Sequence, residues 1–157
     1  MPRPTDSDPR TAWLALDRQL CFALYSASLA MTKLYKPLLA PLGLTYPQYL
    51  VMLALWEADG ITVGRLGERV ALDSGTLTPL LKRLEASGLV QRLRDADDER
   101  RVLLRLSAAG RALQRRAVAV PEAVVRATGC DLAEVSALTA RLTALRERLT
   151  QATPHAA

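Results

Sequence analysis

Between residues 61 and 107 the hydrophobic period of the chain changes twice, and no other feature restricts its fold as much. Ile61-Thr62-Val63 is too short to stand alone but is able to pair as a third strand. Thr62 is placed to N-cap a short helix over Val63 to Val70 that turns Leu66 inward. After Ala71-Leu72 a second helix opens at Asp73 or Ser74. It carries Leu77, Leu80, Leu81 and Leu84 on one face, and Gly88 stands where a C′ glycine belongs. The period then falls to two. Leu89, Gln91 and Leu93 alternate with Val90, Arg92 and Arg94, and Arg101, Leu103 and Arg105 alternate with Val102, Leu104 and Leu106. Asp95-Ala96-Asp97-Asp98-Glu99-Arg100 is the polar tip between these strands. Two short helices on a tight turn, followed at once by a hairpin, make a winged helix-turn-helix, a module that reads double-stranded DNA.

The outward side of the second helix fits that task. Ser74, Gly75, Thr76 and Thr78 are small, so the helix can approach the floor of the major groove, and their hydroxyls can bond base edges or phosphates. Lys82 and Arg83 suit phosphates, and Arg83 could also pair with a guanine. The wing offers Arg92, Arg94, Arg100 and Arg101, and an arginine at its tip suits a narrow minor groove. Asp98, two residues before Arg100, is placed to hold it. The alternative is a solvated helical face beside a charged hairpin. A formal net charge of +5 favours an anionic partner without choosing which.

The expected fold is mainly α with a small β wing: a winged helix-turn-helix with N- and C-terminal dimerisation helices. Residues 1–10, with three prolines, read as a flexible arm. Residues 11–60 hold the N-terminal helices. The first starts near Asp17 with an apolar face of Leu16, Leu20, Leu24, Ala27, Met31, Leu34 and Leu38, and ends at Pro37 and Pro41. The second starts near Thr45 with Pro47 in its first turn. After the 61–107 module, residues 108–157 hold the C-terminal helices. Ser107 caps one that runs past Leu113 and Val120, with Pro121 bending it or marking a turn. Asp131 and Glu134 form a capping box for another, striped by Leu132, Val135, Leu138, Leu142, Leu145 and Leu149. So long an apolar stripe needs a cover, and a second copy of the chain is the expected one.

Other classes drop out. The apolar run Tyr49 to Trp56 is far shorter than the ~20 residues of a membrane span, and residues 1–10 lack the apolar core of a signal peptide. A cytoplasmic location with no membrane partner is the expectation. His155 is the only histidine, so no histidine site or zinc cluster is expected, and no phosphate loop appears; no cofactor and no metal are implied.

The two cysteines, Cys21 and Cys130, are either inert or redox-active. Cys21 falls in the first turns of the first helix, where the helix dipole favours thiolate, the species that attacks a peroxide oxygen. Tyr25, Ser28 and Tyr35 follow it on the same side at offsets 4, 7 and 14. Cys21 and Tyr35 are then about 21 Å apart within one helix. They meet only if two copies run antiparallel about Ser28, where Ser26-Ala27-Ser28 is small enough for a close crossing. Phe22, Leu24 and Met31 would make the surroundings apolar. The alternative is an ordinary buried thiol.

The run Leu72 to Glu85 followed by Asp98-Glu99-Arg100 resembles the MarR family of transcriptional regulators. Gln19-Leu20-Cys21-Phe22, Met31 to Leu38 and Thr45-Tyr46-Pro47-Gln48-Tyr49 narrow the likeness to its OhrR-type organic hydroperoxide sensors, over roughly residues 16 to 150. The resemblance implies a homodimeric repressor on operator DNA, not an enzyme. In it Cys21 would be the peroxide-reactive thiol, hydrogen-bonded by Tyr35 and Tyr46 of the partner subunit, with Tyr25 and Phe22 nearby. It also implies the two-cysteine branch, in which Cys130 resolves the oxidised sensor as an intersubunit disulfide and DNA is released. The competing reading is a MarR-type regulator induced by a non-covalent phenolic or aromatic ligand, with Cys21 incidental. A thiol peroxidase is a third, set against a chain that gives a third of its length to a DNA module.

Overall fold

The computed structural model describes residues 8–154, so the arm expected over 1–10 lies outside the described residues as far as residue 7, as does His155. Pro9–Leu14 and Leu16–Arg18 form 3-10 turns ahead of α1 (Leu20–Leu39). Then come α2 (Tyr46–Glu57), β1 (Ile61–Thr62), α3 (Val63–Val70), α4 (Ser74–Ala86), β2 (Val90–Arg94), β3 (Val102–Leu106), α5 (Ala108–Ala117), α6 (Ala119–Thr128) and α7 (Leu132–Ala152). The sheet is antiparallel in the order β1-β3-β2. Ile61 lies opposite Leu104 and Val90 opposite Leu106, so the short first strand does serve as a third one.

Local chemistry sets most boundaries. Thr45 caps α2 in a capping box with Gln48, Asp131 caps α7 in another with Glu134, and Thr62, Asp73 and Ser107 each accept an amide at the start of α3, α4 and α5. The expected start near Asp17 is corrected. Gln19 is extended and its side-chain amide bonds the carbonyls of Trp13 and Ala15, so α1 begins at Leu20 with Cys21 as its second residue. Pro37 does not end the helix. It costs one hydrogen bond, to the carbonyl of Lys33 on an exposed face, and α1 runs on to Leu39. The C-terminal break comes at Val118 rather than Pro121, which sits in the first turn of α6, where its missing N–H is not needed.

The core lies between α2, the helix-turn-helix and the sheet. Val51, Met52 and Leu55 of α2 meet Leu66 of α3, Leu77, Leu81 and Leu84 of α4, and Val90 and Leu104 of the hairpin. Every inward leucine expected on α4 is buried. The α3–α4 turn places Ala71 at φ +55°, a left-handed conformation costing a non-glycine residue about 1 kcal/mol.

The helix-turn-helix module is bolted to α5 at one junction. Ser107 donates to the Gly88 carbonyl (2.6 Å) and its amide to the Leu89 carbonyl (3.0 Å), while the Trp56 indole donates to the Gly110 carbonyl (2.9 Å). A Cβ on Gly110 would lie 2.2 Å from the Leu89 carbonyl oxygen, so only glycine lets α5 come this close. Asp59 extends the junction: one carboxylate oxygen accepts the amides of Leu106 and Gly60 (both 2.9 Å), and the other pairs with Arg111 at 3.0 Å. Burial would push the Asp59 carboxyl up, but those amides and Arg111 outweigh it, and it sits below its ordinary value.

Two outcomes follow from this junction. Gly110→Ala should destabilise the protein by about 2–4 kcal/mol in urea unfolding, because the added methyl meets backbone. Asp59→Ala should cost about 1–3 kcal/mol. The folded carboxyl is depressed, so its contribution is complete above the ordinary carboxylate range and is lost as pH falls through the folded value. The gap between wild type and Asp59→Ala should therefore hold from about pH 7 to pH 5 and close below about pH 4.

Candidate nucleic-acid interface and thiol site

The exposed face of α4 holds all six residues expected there: Ser74, Gly75, Thr76, Thr78, Lys82 and Arg83. Asp73 accepts the Thr76 amide at 2.8 Å, a bond that holds its carboxyl below the ordinary value. Gly75 serves this cap too, since a Cβ there would stand 3.2 Å from the Asp73 carboxylate. The Thr78 hydroxyl donates to the Ser74 carbonyl (2.8 Å), so toward a ligand it can act only as an acceptor.

A cleft of about 650 Å³ opens between this face and the wing, lined by Thr62, Val63 and Gly64 on one side, Thr78 and Leu81 of α4, and Arg92, Arg100, Arg101 and Val102 of the hairpin. Asp98 holds the tip as expected: it accepts the Arg100 amide at 3.1 Å and lies 3.6 Å from the guanidinium groups of both Arg100 and Arg101. The Arg100 side chain is 95% exposed, and Arg94 is exposed on β2. Arg92 is different. It shares the inward face of β2 with Val90 and pairs with Glu85 of α4 at 2.7 Å, so it is not a free wing cation. Residues 90, 92 and 94 share a face by the period of two, a signal that was present in the sequence. Sequence reading also passed over Arg65 and Arg69 of α3, which pair with Glu68 and Glu57.

The thiol residues fall into two groups. Cys21 is exposed in the first turn of α1, with half-buried Phe22 beside it and Tyr25 64% exposed. At the other end of the helix Tyr35 packs on Tyr46, ring centroids 4.8 Å apart, and on the buried Tyr49 at 5.7 Å. Burial, with lesser contributions from Tyr46 and Tyr49, pushes the Tyr35 hydroxyl up to about 12, which keeps it protonated and able to donate. Cys130 belongs with the tyrosines. It lines, with Tyr35, Tyr46, Met31, Val124 and Leu138, an apolar cavity of about 350 Å³. Its thiol lies 3.7 Å from the Thr128 carbonyl and donates to it. Cys21 is not among the residues lining that cavity.

Helices α1 and α7 are largely uncovered. Of α1 only Leu39 is buried, and α7 buries nothing: Leu132, Leu138, Leu142 and Leu149 are 72, 54, 40 and 54% exposed. No single helix among the described residues is long and apolar enough to cross a membrane. Only α1 with α2, as a pair bent by 67°, passes that test by length and composition, and α2 is a core helix.

Comparison with known proteins places this arrangement. The family model for the transcriptional regulator SarA/Rot matches residues 33–116, more than half of the chain. The chain is 52% identical over 135 residues to the HTH-type transcriptional regulator TtmR of Methylorubrum extorquens, covering 86% of this chain and 69% of that one. It is 48% identical over 139 residues to the organic hydroperoxide resistance transcriptional regulator of Bacillus subtilis, covering 86% of this chain and 95% of that one. It superposes with a TM-score of 0.73 and 35% identity on reduced AbfR bound to DNA, a Staphylococcus epidermidis protein, over 90% of this chain and 99% of that one. The chain therefore belongs to the MarR/SarA family of winged helix-turn-helix transcriptional regulators, on its OhrR-type side, and is a regulator rather than an enzyme.

Proposed function

We propose that this regulator is a homodimeric repressor that leaves its operator when organic hydroperoxides oxidise Cys21. The observation that carries the reading is the apolar cavity where Tyr35, Tyr46 and Cys130 meet, set fourteen residues along α1 from an exposed Cys21. An antiparallel crossing of two α1 helices near Ser28 brings each Cys21 to its partner's cavity. The same crossing covers the exposed stripes of α1 and α7. The Bacillus subtilis relative is named for organic hydroperoxide resistance, and the AbfR structure has DNA bound.

Chemically, the Cys21 thiolate attacks the outer peroxide oxygen. The S–O bond forms as O–O breaks, the alcohol leaves with a proton, and Cys21 becomes a sulfenic acid. The Tyr35 and Tyr46 hydroxyls donate to the thiolate and to the departing oxygen. The partner's Cys130 then attacks the sulfenic sulfur; S–S forms, S–O breaks and water leaves. Joining the start of α1 to the α6–α7 turn across the dimer moves the helices that space the two reading heads. Those heads place Ser74, Gly75, Thr76, Thr78, Lys82 and Arg83 in the major groove at half-sites about 34–36 Å apart. Arg94 and Arg100, the latter held by Asp98, reach the flanking backbone or minor groove. The cavity is also of a size for an aromatic acid, which keeps the ligand-induced reading as the alternative.

On DNA, Arg100→Ala should weaken binding roughly tenfold and lower the salt slope by about 1 in fluorescence-anisotropy titrations; an unchanged slope removes Arg100 from the interface. Cumene hydroperoxide should release wild-type protein from DNA, reversibly with dithiothreitol, while Cys21→Ser stays bound; a Cys21→Ser protein that is still induced by an aromatic acid favours the ligand-responsive reading. Non-reducing electrophoresis after peroxide should show a dimer band that Cys130→Ser abolishes, and a persisting band denies Cys130 the resolving role.

A further inference from the structure

Glu85 is an acidic residue on the helix that faces DNA, where a carboxylate repels phosphates. Its surroundings explain its presence. Its Oε2 accepts the Arg92 Nε at 2.8 Å and pairs with a terminal guanidinium nitrogen at 2.7 Å, and its Oε1 accepts the Arg92 amide at 3.4 Å. Arg92 beside it holds the Glu85 carboxyl below the ordinary range. Among the described residues this is the only side-chain ion pair between α4 and the hairpin. Nearer the tip than this pair only Thr62 of β1, opposite Leu103, still pairs with the hairpin. Arg92 lies opposite Leu104, which is fully buried, and beyond that pair toward the tip no residue of the hairpin is buried. Arg100 hangs from the unanchored end.

We propose that Glu85 is a positioning residue for DNA binding: by clamping Arg92 it sets the angle of the wing to the recognition helix, so that Arg100 reaches the duplex while α4 lies in the groove. This rests on the DNA-binding reading above. The clamp makes a prediction opposite in sign to simple electrostatics. Removing a negative charge from a DNA-facing helix raises the attraction for phosphate. Removing the clamp lets the wing swing and loses the tip contact.

The test uses the full-length protein and a labelled duplex that the wild type selects from a randomised pool. Glu85→Gln should bind roughly tenfold more weakly, with a salt slope shallower by about 1. In an Arg100→Ala background Glu85→Gln should cost little more, since the contact it positions is already gone. Arg92→Gln should reproduce the loss, and the exchanged pair Glu85→Arg/Arg92→Glu should recover affinity to within about threefold of wild type. Should Glu85→Gln fail to fold by thermal melting, Arg92→Gln measured with and without Arg100→Ala carries the test: a loss that largely disappears in the Arg100→Ala background supports the clamp, and an equal loss in both overturns it. Unchanged or tighter binding by Glu85→Gln overturns the proposal while leaving the DNA reading intact, as does an equal loss with and without Arg100. A wild type that selects no duplex overturns the DNA reading itself.

Discussion

The approach of α5 to the Leu89 carbonyl, possible only because Gly110 has no side chain, is the contact on which the rest of this molecule depends. At that point the exit of the recognition helix, the end of the wing and the start of the C-terminal arm share hydrogen bonds with each other and with α2 through Trp56 and Asp59. Backbone held against backbone leaves little freedom for bending. The helix-turn-helix, the wing and α5 are therefore tied together at one junction. Further along, Arg116 donates to the Pro41 carbonyl at 2.6 Å and ties the far end of α5 to the turn after α1.

Beyond this junction the single chain leaves much apolar surface in water. At about 25 cal/mol per Å², the exposed leucines of α1 and α7 represent a driving force that no element among the described residues satisfies. Association of two copies is the physical remedy, and in the proposed mechanism it gives the thiol chemistry its leverage. The surface that must be buried carries Cys21 at one end, with Tyr35, Tyr46 and Cys130 at the other. In the proposed mechanism, oxidation there would act on the contact that sets the separation of the two heads, so that a small shift at the sulfur would become a change in half-site spacing.

The cations divide by environment more than by position. Arg92, Arg69, Arg111 and Arg116 are engaged within the chain, by Glu85, Glu57, Asp59 and a backbone carbonyl. Lys82, Arg83, Arg94 and Arg100 stay at the surface of the module. A net charge of +5 thus overstates the charge delivered to a ligand in some places and understates its focus in others.

How much of this was legible beforehand follows from the range of the forces involved. Caps at Thr45, Thr62, Asp73, Ser107 and Asp131, the inward leucines of α4, the two-residue period of the wing and the left-handed Gly88 all express interactions within a few residues, and the sequence alone determined them. Of the candidate site, the exposed face of α4 and the hold of Asp98 on the wing tip were local in the same sense. Tertiary structure decided what depends on distant neighbours. Gln19 folding back on Trp13 moved the start of α1 past Asp17, and packing carried that helix through Pro37. Gly110 became indispensable only when Leu89 came beside it, and the partner of Arg92 was fixed only when Glu85 stood across from it. The gathering of Cys130 with Tyr35 and Tyr46, more than eighty residues away in sequence, was equally beyond any local signal, because only the folded chain brings residues of α1, α2, α6 and α7 around that cavity.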